Sequence, residues 1–560
     1  MATSLIPVPA PATRLARVAL GSALLGLVLG APAAAQAPKF YPDDPIAREP
    51  ATQDASKAAT YNVDLVLELA QNQFLAPGDR TTPSPRAGNV NTADEVPDST
   101  WFTNRIGSRP MSIDELVRGP GGEAPDPSAW TITHAKSAGA SPGFTARDAK
   151  GQTYFISFDA PGAPESATGA IMVANKIFWA LGYYQVENFL TRIDPAKLTI
   201  GDGVTIHTRT GGKRPFTPHD LRAVLGRAQQ SPDGTYRAIA ALQLPGKVIG
   251  NFKYYGTRTD DPNDIVPHEH RRELRALKIF GAWTNLVDMK AGNTIDVLID
   301  EGGHSVVRHY LQDVGSTFGA GANGPHDYDE GWEWLWEGGK AFKRLISLGL
   351  YLQPWQTVDY EFHPAVGRFE GDEFEPEKWR ARVPVPAHRH LRGDDALWAA
   401  RRVAAFSDEA IRAIVKTAQF SDPSAERLLG DIIIKRRDKI VRQYLPAVNP
   451  TAEFSLAPSG EFRFTNVAVD YKVADVPSRG YKATWSTFDN RTQQSTAIGE
   501  TSAPAGGGMQ APAGLPVADG AYVRVDVAAV GAPQASWATP VQVYFRRNAG
   551  AWSLVGVERQ

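Results

Sequence analysis

Alternation of apolar and polar positions at Trp130-Thr131-Ile132-Thr133, from Gly143 to Arg147 and from Thr153 to Asp159 predicts three strands. The turn-forming Asp148-Ala149-Lys150-Gly151 joins the last two as a hairpin. The period then changes. Ala170, Val173, Ala174, Ile177, Phe178 and Leu181 recur at helical spacing, so a helix is expected from Glu165 to Leu181, stopped by Gly182. Alternation returns in Lys197 to Ile200 and in Ala238 to Ile249. A further helix is expected from Pro267 to about Leu286, and helices at 396–405, 408–418 and 424–444. From Pro450 onward the pattern is strand-like again, ending in a hairpin about Asn548-Ala549-Gly550, with a flexible Gly/Pro/Ala excursion at 503–515. Before Trp130 a helical piece from Val63 to Leu75 lies among Pro-, Asp- and Thr-rich arms.

Composition narrows the class. With 560 residues, 42% apolar and 21% charged, the chain can bury a large core across two to four domains. Lys+Arg 59 against Asp+Glu 61 gives no basic excess, so nothing favours nucleic acid or an anionic membrane as partner. Arg14 and Arg17, the apolar run Val18 to Leu29 and the small-residue tract 31–37 read as a secretory signal peptide over 1–37. The run is too short to span a bilayer comfortably, so no stable membrane anchor is expected after cleavage. Zero cysteines exclude disulfides and thiolate metal sites. The expected location is periplasmic or secreted.

The chemistry concentrates in Val287-Asp288-Met289-Lys290-Ala291-Gly292-Asn293, which follows a helix, and in Asp313-Val314-Gly315 after an apolar, turn-broken run. A carboxylate, an amide five residues on and a second carboxylate can orient a hydroxyl and offer oxygens to Mg²⁺ beside a nucleotide. Each also has an ordinary use: Asp288 as a cap, Asn293 as a left-handed turn residue beside Gly292, Asp313 as a turn aspartate.

The order of these elements resembles the protein-kinase-like superfamily, in particular the HipA-type, CotH-type and secretory-pathway kinases, over residues 130 to 445. The resemblance implies an α+β fold: a two-lobed body with a sheet-rich lobe (130–256) and a helical lobe (257–449), preceded by an extended segment (38–129) and followed by a small β-sandwich (450–560). It implies Mg²⁺ and ATP or another nucleotide as cofactors, with phosphoryl or nucleotidyl transfer to an unknown protein or small-molecule acceptor. Asp288 would be catalytic, Asn293 and Asp313 would hold metal, and Glu165 would be the helix carboxylate. A hairpin carrying Gly139, Pro142 and Gly143 would cover the phosphates. The sequence departs from the family at Ser157, where the phosphate-contacting lysine is expected, so either Lys136 reaches in from another strand or nucleotide binding is degraded. ATP is scarce outside the cytoplasm, which also leaves open a different donor.

Two other classes compete. One is a degenerate kinase-like binding or scaffold protein of the cell envelope, with Trp332, Trp334 and Trp336 as a stacking surface or a packed lid. The other is a metal-dependent envelope hydrolase using the acidic loop Asp260, Asp261 and Asp264. His268 and His270 do not complete a His-Glu-x-x-His zinc motif, because residue 272 is arginine. Arg271, Arg272 and Arg275 are available to pair with acids or with phosphate, and Lys136 and Lys176 read as solvated.

Overall fold

The computed structural model describes residues 37–136, 139–208, 211–348, 350–504 and 508–559. The expected signal peptide lies almost wholly outside them. The fold is a mixed α/β arrangement with several separate sheets. No helix among the described residues is long and apolar enough to cross a membrane.

The alternating segments form the expected strands Trp130–Ala135, Gly143–Arg147 and Thr153–Phe158, side by side in a six-stranded sheet. Asn188–Ile193, Tyr236–Leu242 and Leu198–Ile200 complete it. Its pairings are antiparallel except Trp130–Ala135 with Leu198–Ile200. Tyr154, Ile156 and Phe158 enter one core with Trp130, Ile132 and Phe144, while Phe155 and Ser157 lie on the opposite face, as a period of two requires. Gly143 is fixed by packing: a Cβ there would stand 2.1 Å from the Ile156 carbonyl oxygen on the paired strand. The alternation over 238–249 divides into two strands, Tyr236–Leu242 and Lys247–Gly250. They belong to different sheets, the second being Lys247–Gly250, Thr294–Glu301 and His304–Leu311.

Helix Ser166–Leu181 packs its apolar face into the main core beside helix Arg272–Thr284. The latter starts later than expected because Pro267 opens a short 3-10 turn, His268–His270, instead. It ends where Asn285 adopts a left-handed conformation at φ 54. Helices Gly393–Ala404 and Pro423–Tyr444 pack against it, with Asp408–Lys416 against the latter, and the Trp283 indole donates to the Ile433 carbonyl at 3.0 Å.

The segment before Trp130 is not a set of loose arms. Arg272 donates from Nε to Asp395 at 2.8 Å and from Nη2 to Asp94 at 2.8 Å and Asp394 at 3.0 Å. Arg271 forks onto Glu49, and Arg275 reaches Asp395 at 3.1 Å. These arginines therefore lock the N-terminal segment to the helices from buried positions. Phe40 stacks among Phe488, Tyr522 and Tyr544 of the C-terminal region.

That region carries a three-stranded and a five-stranded sheet, with the Phe462, Trp485 and Phe545 rings meeting between them. The predicted closing hairpin joins Val541–Asn548 to Ala551–Glu558. Inside the expected 503–515 excursion, Gly508–Gln510 pairs as a strand with Glu461–Asn466.

Candidate functional site

Asp288 follows the left-handed stop at Asn285 by three residues, so a rigid helix end delivers it. Its carboxylate is half-buried between two cations: Lys290 Nζ donates to Oδ2 at 2.8 Å, and Arg382 Nη1 stands 3.4 Å from Oδ1. Burial pushes the Asp288 pKa up, but Lys290 and Arg382 outweigh it and hold the carboxyl below its ordinary value. Arg382 is placed by its backbone N–H, which donates to the Val287 carbonyl at 2.8 Å, and it also pairs with Glu330.

Asn293 closes the loop. Its Nδ2 donates to the Asp288 carbonyl at 2.6 Å, and its own carbonyl accepts from the Asp313 N–H at 3.0 Å and the Gln312 N–H at 3.1 Å. One residue thus fastens the Asp288 loop to the Asp313 turn. Asn293 lies in the 3-10 turn Ala291–Asn293 and its φ is not positive, so the left-handed turn use does not apply. After these bonds Asn293 Oδ1 has no donor among the described residues. Asp313 is exposed; its Oδ1 accepts from the Gly315 N–H at 3.0 Å, while no hydrogen bond from a described residue reaches Oδ2. Helix Ser166–Leu181 borders the turn, since Ile171 limits the space at Gly315.

The loop has a support that sequence reasoning missed. Glu68, buried on helix Leu65–Phe74, accepts the Ala291 N–H with both carboxylate oxygens, at 3.1 and 3.0 Å. Burial raises its pKa, partly offset by that N–H. A carboxylate on the buried face of an otherwise apolar-patterned helix was the available signal. Lys290 was visible in the motif, and Arg382 could not be paired with Asp288 across 94 residues.

The remaining sequence candidates separate. Lys136 follows strand Trp130–Ala135, and its Nζ donates to the Ser141 carbonyl and hydroxyl at 2.9 and 2.7 Å. Crowding around the ammonium lowers its pKa by desolvation although the side chain is exposed, and the Asp313 charge opposes that shift. Lys136 therefore faces Asp313 electrostatically without closing an ion pair. Gly139 turns the same hairpin at φ +83, with the Lys136 stem 3.3 Å from where its Cβ would be. Glu165 is not brought to this group: its carboxylate accepts the Ser421 N–H at 2.8 Å and lies 3.9 Å from Arg237 Nη1. Ser157 sits in mid-sheet, paired with Gly143 and Ile239. Lys176 is buried rather than solvated, which lowers its pKa to about 8.

Each acid of the 260–264 loop has a partner within the fold. Asp260 pairs with Arg258 at 2.9 Å, Asp264 with His268 Nε2 at 2.8 Å, and Asp261 accepts the Asn263 N–H at 3.0 Å. Asp79, His270 and His390 place one ligand atom each within 4.8 Å of one another. Their hydrogen bonds oppose a metal there: Arg275 Nη2 donates to His270 Nδ1 at 2.7 Å, leaving Nε2 as the protonated nitrogen toward Asp79, and His390 Nε2 donates to the Asp79 carbonyl at 2.9 Å.

No protein-family model matches the chain, and no curated protein matches it. Among solved structures it is similar to a Golgi casein kinase with Mn and ADP bound, at 9% identity and TM-score 0.28 over 60% of this chain and 78% of that one. It is also similar to a second crystal structure of the Golgi casein kinase, at 8% identity and TM-score 0.26 over 58% and 74%. Likeness of this degree establishes neither a shared activity nor a shared site.

Proposed function

We propose that the protein is an exported, kinase-like phosphotransferase whose reaction centre is Asp288, Asn293 and Asp313. The observation that carries this reading is the pair of oxygens without a donor among the described residues, Asn293 Oδ1 and Asp313 Oδ2, on two turns joined backbone to backbone next to an ionised Asp288. Neutral amide and carboxylate oxygens are the donor set a hard divalent cation takes, so the residues fit Mg²⁺. When bound, such an ion neutralises charge on the phosphates of a nucleotide.

The chain's own residues supply the rest. Asp288, kept deprotonated by Lys290 and Arg382, accepts the proton of an acceptor hydroxyl as that oxygen bonds to phosphorus and the bond to the leaving diphosphate breaks. Lys136 contributes a cation over the Asp313 side. In this reading the six-stranded sheet and the helices form two lobes with the site at their seam, and the C-terminal sheets form a β-sandwich. The acceptor is a hydroxyl-bearing protein or small molecule outside the cytoplasm.

Thermal unfolding with Mg²⁺ and ATP or ADP tests the binding half. Wild type gains Tm with metal and nucleotide together, and Asp313→Ala loses that gain. An equal gain in the variant removes Asp313 from the metal site. Ser157 in place of a lysine favours a second reading, a nucleotide-free binding protein, for which no nucleotide gives any gain.

A further inference from the structure

Beside this centre lies a recess lined by Trp332, Tyr360, Phe374, Trp379 and Arg436, about 350 Å³ in volume and open to solvent, with about 20 Å³ of it free for a water-sized group. Asn285, which stops the helix leading to Asp288, also lines it, as does Glu330, the partner of Arg382. The recess is therefore built from the same supports as the Asp288 loop.

Arg436 is the anomaly. It is 4% exposed on helix Pro423–Tyr444, yet it makes no hydrogen bond or ion pair with any described residue, and its Nε is buried without a partner. Its guanidinium lies 3.7 Å from the Phe374 ring centre and 4.6 Å from that of Phe369. The other buried arginines among the described residues are Arg237, Arg258, Arg271, Arg272, Arg275 and Arg402, and each donates to a carboxylate, carbonyl or amide oxygen. Ring faces attract a cation but accept none of its N–H bonds well, so an unpaired guanidinium costs free energy here until an acceptor arrives. Burial lowers the Arg436 pKa to about 9, with Glu370 and Tyr360 only partly opposing it, so the side chain remains a cation at neutral pH.

We propose that this recess is a subsite for a carboxylate group. A planar carboxylate matches the guanidinium fork, and the narrow free space in the recess suits a small group. The other charges around it choose the charge of the guest. Glu330 is spent on Arg382 and Glu375 on Lys378, at 3.1 and 2.8 Å, while Glu370 and Arg368 also line the wall. A monoanion completes this balance, whereas a dianionic phosphate meets three nearby acids. The aromatic walls then hold a flat stem leading out of the mouth. Its assignment as the place where an acceptor for Asp288 is gripped rests on the phosphotransfer reading; carboxylate binding itself does not.

Sodium benzoate, sodium acetate and inorganic phosphate, each against sodium chloride at equal ionic strength, test the site by thermal unfolding without nucleotide. The expected result is a saturable rise in Tm with both carboxylates, larger for benzoate, and absent in Arg436→Met but retained in Arg463→Met, which alters an exposed arginine. If Arg436→Met does not fold, Arg436→Lys decides: charge without the fork shifts saturation at least tenfold higher in benzoate. No rise in wild type, an unchanged rise in the Arg436 variants, or a phosphate effect exceeding that of benzoate each overturns the proposal. None of these readouts depends on phosphoryl transfer, so failure of that reaction is seen separately.

Discussion

Arg272 and Arg436 are both guanidiniums sunk in helical surroundings, and they differ in what meets them. Arg272 is enclosed by Asp94, Asp394 and Asp395, each within 3.0 Å, so the N-terminal segment and two helices share one ion-paired cluster. Arg436 meets only rings and a cavity. A buried charge that is fully paired holds chain segments together, while one left unpaired marks a place where the fold has retained binding capacity.

Four substitutions probe this contrast, beginning with the largest effect. Arg272→Met removes the one cation shared by three buried carboxylates and costs about 3–5 kcal/mol of stability, measured by denaturant unfolding; a cost below about 1 kcal/mol would erase the distinction. Asp288→Asn leaves the fold intact but lowers transfer by about 10²–10⁴-fold, the range for loss of a general base. Unchanged turnover in that variant refutes its role.

Acid unfolding gives a third test. Burial raises the Asp264 pKa, but His268 and Arg271 outweigh it and bring it to about 2, below the ordinary 3.8. Its contribution is complete above 3.8 and fades as pH falls toward 2, so Asp264→Asn flattens stability against pH in that window. The smallest effect belongs to Arg436→Met: without ligand, replacing an unpaired cation by a flexible apolar side chain leaves stability within about 1 kcal/mol or raises it. A loss like that of Arg272→Met would make Arg436 a structural residue.

Local signals carried the elements well. The period of two at 130–133, 143–147 and 153–158, the helical spacing of Ala170 to Leu181 and the closing hairpin all appear at nearly the expected positions. They were legible because side-chain direction along a strand or helix is set by backbone geometry within a few residues. The Asp288–Asn293 loop was legible for the same reason, its internal bond spanning five residues. Glu165 shows the opposite case. Its place at the start of a helix was foreseen, but its pairing with Ser421 and Arg237 was not, because those partners lie 256 and 72 residues away.

The sequence by itself determined the periodic elements, the absence of any covalent cross-link and the clustering of oxygen-bearing residues around 288 and 313. Only the tertiary structure decided which charges are spent. It joined Asn293 to Asp313 through a hairpin, set Glu68 beneath Ala291, closed Arg272 among three acids and left Arg436 open. Pairing of buried charges depends on distances between segments far apart in the chain, and hydrophobic periodicity does not encode those distances.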